Sequence, residues 1–357
     1  MSAAPSPTSL TALLRPIRAD DVLACIDVFY EALDDLYGRL DQPPLPREPA
    51  ALQRLLQHLV DTDAERCWLA EEPSTTVDPT PPRVLGFGAA TLREDHWFLS
   101  LLYVRPEAQK SGLGRRLLLA TFPQGPTWSI ADGGPGTAAA TRAHEEEATH
   151  GSDGPDAADG RGRPGEGTLS TCVDALQPVS TGLYAGYGIV PRVPLFSAVG
   201  EPRSGAFPPL PADVETLSFE QLDRAALPEI LATLDRAVLG HARPADHAFW
   251  LDERRHGMLF RSRATGAPLG YGYTQASGRL GPLTVLDGGL TTAALGVLFG
   301  AETPRGAWLA LVPGANEPAM VALLRSGFRF EGWPGIVAST REVGFLSRYL
   351  PANFALL

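Results

Sequence analysis

The segment with the clearest chemical potential is Gln109-Lys110-Ser111-Gly112-Leu113-Gly114-Arg115-Arg116. It stands between an apolar run ending at Leu102-Tyr103-Val104 and a Leu/Arg-rich run. Pro106 stops strand pairing just after Val104. A loop then enters a helix whose first turn holds Gly112 and Gly114. Glycines there let the backbone approach a ligand closely. The first amides of a helix have no intrahelical acceptor and attract an anion, most naturally a pyrophosphate. Lys110, Arg115 and Arg116 add positive charge. Two glycines alone also fit an ordinary strand–helix turn. Two other phosphate motifs are excluded: no GxxxxGK[ST] occurs, and no GxGxxG followed by an acidic residue on a second parallel strand.

The elements that must hold this turn follow from patterning. A short strand at 13–18 precedes a helix with Asp20 as N-cap and apolar residues at Val22, Cys25, Ile26, Phe29, Leu33 and Leu36. A helix at 49–61, a strand at 67–71 and a hairpin of 84–93 with 96–104 come next. The glycine turn leads into a helix at 112–121. A strand at 169–173 and a helix at 178–187 follow, and the first half ends in strands. The second half repeats the order: strand 214–219, helices 220–238 and 244–254, strands 258–263, 269–275 and 280–286, helix 290–299, strand 307–312, helix 317–326. Gln177-x-x-Ser180-x-x-x-Tyr184-x-x-x-Gly188-Ile189 aligns without gaps on Asn316-x-x-Ala319-x-x-x-Leu323-x-x-x-Gly327-Phe328. This supports a duplication.

Composition divides the chain of 357 residues further. The first nine residues read as a disordered tail, with neither the basic region nor the apolar core of a secretory signal. Residues 123–168 hold eight acids and three arginines but only Trp128 and Ile130 as large apolar residues. Such a segment cannot offset its ordering entropy, so it reads as a disordered insert. Residues 200–213 are a Pro-rich linker. The resulting domains are 10–199 and 214–357. The net charge of −11 argues against a general grip on nucleic acid or anionic lipid, and no apolar run is long enough for a membrane span. Cys25, Cys67 and Cys172 suit a reducing cytoplasm, and no metal-ligand spacing occurs. Only Lys110 is a lysine against 29 arginines, a bias pointing to high-GC coding and a bacterial source.

Gln109-x-x-Gly112-x-Gly114, after a strand ending Val-x-Pro, resembles the acyl-CoA-binding motif of the GNAT acetyltransferase family, Gln/Arg-x-x-Gly-x-Gly/Ala. Leu183-Tyr184-Ala185-Gly186-Tyr187-Gly188-Ile189 resembles the family's second motif, Leu-Tyr-x-x-x-Gly-Phe. Gln177 stands where many members have Asn, and Ile189 where Phe is usual. The resemblance implies an α/β fold: tandem GNAT domains, each with a mixed, mostly antiparallel central sheet flanked by helices. It implies an acetyl-CoA-dependent N-acetyltransferase with acetyl-CoA as cosubstrate and no metal. The pyrophosphate would sit on the amides of Lys110, Ser111, Gly112, Leu113, Gly114 and Arg115, with Gln109 as a further cofactor-binding residue. The pantetheine arm would pair with Leu102, Tyr103 and Val104 like an added strand. An amide near Leu102 would polarise the thioester carbonyl. Tyr184 would protonate the departing thiolate, a sensible match for a phenol of pKa about 10; an interfacial core tyrosine is the other reading.

The general base stays open among His96, Asp95, Glu31, Asp34 and Asp35. The resemblance adds a chain-terminal carboxylate, since Phe354-Ala355-Leu356-Leu357 is an apolar tail that could dock. The acceptor would be a small-molecule or peptide amine, and a homodimer is compatible with this reading. In the second half, Asp287-Gly288-Gly289-Leu290 replaces the glycine turn and Leu323 the tyrosine. That half reads as a degenerate copy without turnover. Two other functions fit the same residues: a non-catalytic acetyl-CoA-binding regulatory module, and a mycothiol-synthase-like tandem acetyltransferase.

Overall fold

The computed structural model describes residues 12–73, 82–124, 128 and 167–357. The expected tail at 1–9 and nearly all of the expected disordered insert at 123–168 lie outside them. The chain forms two compact units, Met1–Leu92 with Trp97–Gln124, and Arg93–His96 with Gly125–Leu357.

The first unit runs β1 (Leu13–Pro16), α1 (Val22–Arg39), α2 (Pro49–Asp63), β2 (Cys67–Glu71), β3 (Val84–Arg93), most of β4 (His96–Val104) and α3 (Leu113–Thr121). Its strands lie in the order β1-β2-β3-β4. β2 is antiparallel to both neighbours, with Leu69 opposite Arg15 and Phe87. Helix α1 buries Val22, Cys25, Ile26, Val28, Tyr30, Ala32 and Leu36, one stripe at helical spacing. Asp20 does not cap it. A 3-10 turn at Ala19–Asp21 intervenes, and the Asp21 carboxylate is taken by Arg15 (2.6 and 2.8 Å) and the Arg18 amide (2.8 Å).

Strand β3 is the floor on which α3 rests. A Cβ on Gly86 would come 2.9 Å from Tyr103 O and 3.1 Å from Leu117 Cδ1. Leu113 and Leu117 of α3 pack with Ala12, Ala70, Leu85 and Ala108. The missing side chain therefore sets how closely the helix and β4 approach β3.

The second unit holds α4 (Pro178–Ala185), α5 (Leu227–Leu239), α6 (Pro244–Asp252), α7 (Thr291–Ala301) and α8 (Glu317–Ser326). Its strands are β5 (Thr168–Asp174), β6 (Val190–Gly200), β7 (Val214–Ser218), β8 (His256–Ser262), β9 (Pro268–Thr274), β10 (Arg279–Val285), β11 (Trp308–Pro313), β12 (Arg329–Ser339) and β13 (Tyr349–Leu350). They lie in the order β5-β12-β6-β11-β10-β9-β8-β7, with β13 on β10. Pairing is antiparallel except between β10 and β11. The helix expected from residue 220 begins at Leu227, with Pro228 in its first turn. Proline is accepted there because the missing N–H has no intrahelical acceptor anyway.

Two strands are exchanged between the sequence halves. β12 lies between β5 and β6, with Val337 opposite both Cys172 and Val193. β6 lies between β12 and β11, with Ala198 opposite Phe330 and Ala310. The expected boundary at 200–213 is therefore not where the compact units divide. That segment is irregular but links β6 to β7 inside the second unit, and its Phe207 packs on Phe299 of α7 at 5.3 Å.

Candidate functional site

β4 ends at Val104, and the chain then makes a 3-10 turn, Pro106–Ala108, before α3. Arg105 fixes this exit. It is 8% exposed; its amide donates to Leu85 O (2.8 Å), its Nε donates to Val84 O (2.6 Å), and its guanidinium pairs with Glu31 of α1. Gln109 Nε2 donates to Val104 O (3.1 Å), and Ser111 Oγ donates to Ala108 O (2.7 Å). These bonds hold the turn from within.

The turn bends through two left-handed residues, Lys110 at φ +62° and Gly112 at φ +82°. Gly112 is the N-cap of α3 and supplies no side chain to cover the helix start. The first α-helical bond from this end runs from the Arg116 amide to Gly112 O at 3.2 Å. The amides of Leu113 and Gly114 thus belong to the set without an intrahelical acceptor at a helix N-terminus. Lys110, Ser111, Gly112 and Arg115 are exposed, while Leu113 is buried and anchors the helix. Leu102, Tyr103 and Val104 are half-buried on the adjoining strand end. Tyr103 packs on Phe29 of α1 with ring centroids 4.6 Å apart. The structure therefore gathers all the expected cofactor-binding residues into one strand–turn–helix in the first unit.

Tyr184 lies on α4 in the second unit and is 5% exposed. Burial pushes its hydroxyl well above the ordinary tyrosine pKa, and a side-chain hydrogen bond with Ser180 only partly opposes this. It stays protonated at neutral pH and has a proton to give. The cysteines are different: burial pushes Cys25, Cys67 and Cys172 up to about 12, so none is a ready nucleophile.

The candidate bases are mostly engaged. Glu31 pairs with Arg105, Asp34 with Arg47 at 2.5 Å and Asp35 with Arg39 at 2.9 Å. Asp95 is exposed, and its backbone carbonyl accepts from the Thr168 amide. His96 is buried, with Nε2 2.7 Å from Ser170 Oγ and its ring stacked on His241 at 4.2 Å. Burial first, then His241, Arg341 and Arg243, hold it far below the usual histidine pKa. The tail packs with Ala355, Leu356 and Leu357 buried but Phe354 exposed, and Leu357 O is engaged by Arg243.

Sequence reasoning missed a buried polar cluster in the second unit. Arg243, 1% exposed, donates to Asp235 (3.1 and 3.2 Å), Tyr349 Oη (2.6 Å), Tyr271 Oη (2.9 Å) and Leu357 O (2.9 Å). His247 lies 2.9 Å from Asp235 Oδ2 and 2.8 Å from Tyr273 Oη. Burial would raise the pKa of Asp235, but Arg243 and then His247 outweigh it and hold the carboxyl below its ordinary range. A second buried pair, Arg93 with Asp246, closes at 2.7 and 3.1 Å. These partners come from separate elements, so no sequence spacing announces them.

The second half answers the glycine turn differently. Asp287 Oδ1 accepts from the Gly289 amide at 2.9 Å and so occupies the start of its own turn. Among the described residues, no group of His, Cys, Asp or Glu could hold a metal ion, and no helix is long and apolar enough to cross a membrane.

Residues 29–130 match the Acetyltransferase (GNAT) family, a stretch that contains β4, the turn and α3. The fold is shared with a "putative acetyltransferase" from Pyrococcus horikoshii, at 13% identity and TM-score 0.63, over 100% of this chain and 99% of that one. It is also shared with a GCN5-related N-acetyltransferase from Sphaerobacter thermophilus, at 14% identity and TM-score 0.52, over 94% and 98% of the two chains. No curated protein sequence matches the chain. The class is thus defined: a GNAT fold, with the GNAT family's own sequence pattern over 29–130.

Proposed function

We propose that this protein transfers an acetyl group from acetyl-CoA to the amine of a small molecule or peptide in the cytoplasm. One observation carries the reading: the exposed, glycine-capped turn at 109–115 falls inside the family-matched segment. A pyrophosphate would be met by the amides of Leu113 and Gly114 at the helix start, with Lys110 and Arg115 supplying charge. The pantetheine arm would lie along Leu102–Val104, whose half-burial suits an added strand.

The chemistry is a direct displacement. The neutral amine attacks the thioester carbonyl, whose oxygen gains charge opposite an amide near Leu102. The C–N bond forms and the C–S bond breaks, the amine's proton passes to water, Tyr184 gives the thiolate its proton, and the phenolate is reprotonated from water. Tyr184 is protonated at neutral pH and so carries the proton, but burial raises its pKa and makes it a weaker acid toward the thiolate than an ordinary phenol, so the role rests on the resemblance of 183–189 to the family's second motif.

The test is release of free thiol from acetyl-CoA in the presence of amino acids, polyamines, aminoglycosides and amino sugars. Amine-dependent release is expected for at least one class. Tight acetyl-CoA binding without release from any amine would favour a binding module, and no binding at millimolar acetyl-CoA would remove the proposal.

A further inference from the structure

The two halves share their element order, so β10 corresponds to β4, α7 to α3 and Asn316 to Gln177. In the second half, the positions corresponding to the proposed acyl-CoA path are filled by the chain itself. β10 and β11 pair only at Arg279–Leu309 and Leu280–Ala310. Beyond that point the edge of β10 facing away from β9 is taken by β13, with Leu283 opposite Leu350 and Thr284 opposite Tyr349. Just before β13, the chain passes the turn at α7: a Cβ on Gly288 would lie 3.9 Å from Ser347 O and 4.0 Å from Arg348 Cγ. Asn316 Nδ2 donates to Tyr349 O at 3.3 Å. Tyr349 and Leu350 are fully buried, and Leu350 packs with Leu283, Ala319 and Leu323. The Arg243 bonds to Tyr349 Oη and Leu357 O fasten the segment and the tail that follows it.

We propose that Ser347–Leu350 is a built-in surrogate for an acyl-CoA chain, lodged in the cofactor slot of the second half and closing it to the cofactor. The strand edge of β10 and Nδ2 of Asn316 are satisfied by this segment, which also passes within van der Waals reach of the turn at Gly288. The assignment of the slot rests on reading the first-half turn as a CoA site.

Hydrogen exchange followed by mass spectrometry on the full chain, free and with saturating CoA, tests the proposal beside a calorimetric titration. In the free protein, peptides covering 279–286 and 346–357 should exchange at least about a thousand-fold more slowly than the exposed turn at 263–266. CoA should leave both peptides unchanged while slowing 109–116, with one CoA bound per chain. Asp287→Gly, which removes the carboxylate but leaves the strand, should still bind one. Fast exchange of 346–357 in the free protein would overturn the proposal, as would its release on adding CoA. A second CoA bound to Asp287→Gly would show that the aspartate alone closes the slot, and would overturn it too. If CoA binds nowhere, the proposed function falls and this inference falls with it, whereas CoA protection of 109–116 together with fast exchange or release of 346–357 overturns this inference alone.

Discussion

Lys110 is the one lysine of the chain, exposed, and held at φ +62° where a β-carbon is unfavourable. Its charge and its backbone can be separated by substitution. Lys110→Glu should raise the acetyl-CoA dissociation constant about tenfold and Lys110→Ala only about twofold, read by calorimetry. Equal effects would mean that the backbone amides alone do the binding. Tyr184→Phe should slow thiol release at least tenfold with binding unchanged; an unaltered rate would assign the proton to another donor. His241 supplies a pH dependence. Burial first, then Arg243, lower its pKa from 6.5 to about 4, so the unfolded chain takes up this proton first. Stability should therefore fall as pH drops from 6.5 to 4, by about 3 kcal/mol for this group. Urea unfolding of His241→Gln should show a fall smaller by that amount. The turn residues were legible in the sequence because a turn is local. The Asp235–Arg243–His247 cluster was not, because its partners meet only when α5, α6, β9 and the tail are already packed.

At the scale of elements, the glycines of β3 decide how α3 sits. A side chain at Gly86 would meet the backbone of β4 at 2.9 Å, which cannot yield as a flexible side chain can. Gly86→Val should cost about 2–3 kcal/mol in urea unfolding and weaken acetyl-CoA binding with it, because the turn at 109–115 hangs between β4 and α3. Full stability would mean that α3 moves away at no cost. The order of elements up to the last helix of each half was readable from apolar spacing, but β12 and β13 beyond Ser326 were not placed. The starts of the helices were less legible. Asp20 looked like a cap, but Arg15 draws in Asp21 and a 3-10 turn forms first. The second-half helix looked continuous from residue 220 until Pro228 set its first turn at Leu227. In each case a neighbouring side chain or a missing amide overrode the periodicity.

For the molecule as a whole, the sequence suggested two domains joined by the Pro-rich stretch at 200–213, and strand pairing connects the halves more deeply than that. β12 of the second half separates β5 from β6 of the first, and β6 in turn separates β12 from β11. Nothing local in the apolar alternation of 190–200 or 329–339 tells these strands which neighbours to take, since antiparallel edges of similar length and pattern are interchangeable until the chain closes. The consequence is that neither half completes a sheet alone. A chain ending at residue 204 would keep β5 and β6 but lose the strand between them, leaving long unpaired edges that invite aggregation. A chain starting at residue 205 would likewise lose β6 from between β11 and β12. Each fragment expressed alone should therefore be insoluble or form large aggregates in size-exclusion chromatography. The two co-expressed should copurify as a one-to-one complex with the circular dichroism of the intact chain, because the cut falls in an irregular segment and removes no strand. Two separately folded, monomeric fragments would mean that each half can satisfy its own strand edges. The exchange would then be a choice between equivalent pairings and not a requirement of the fold.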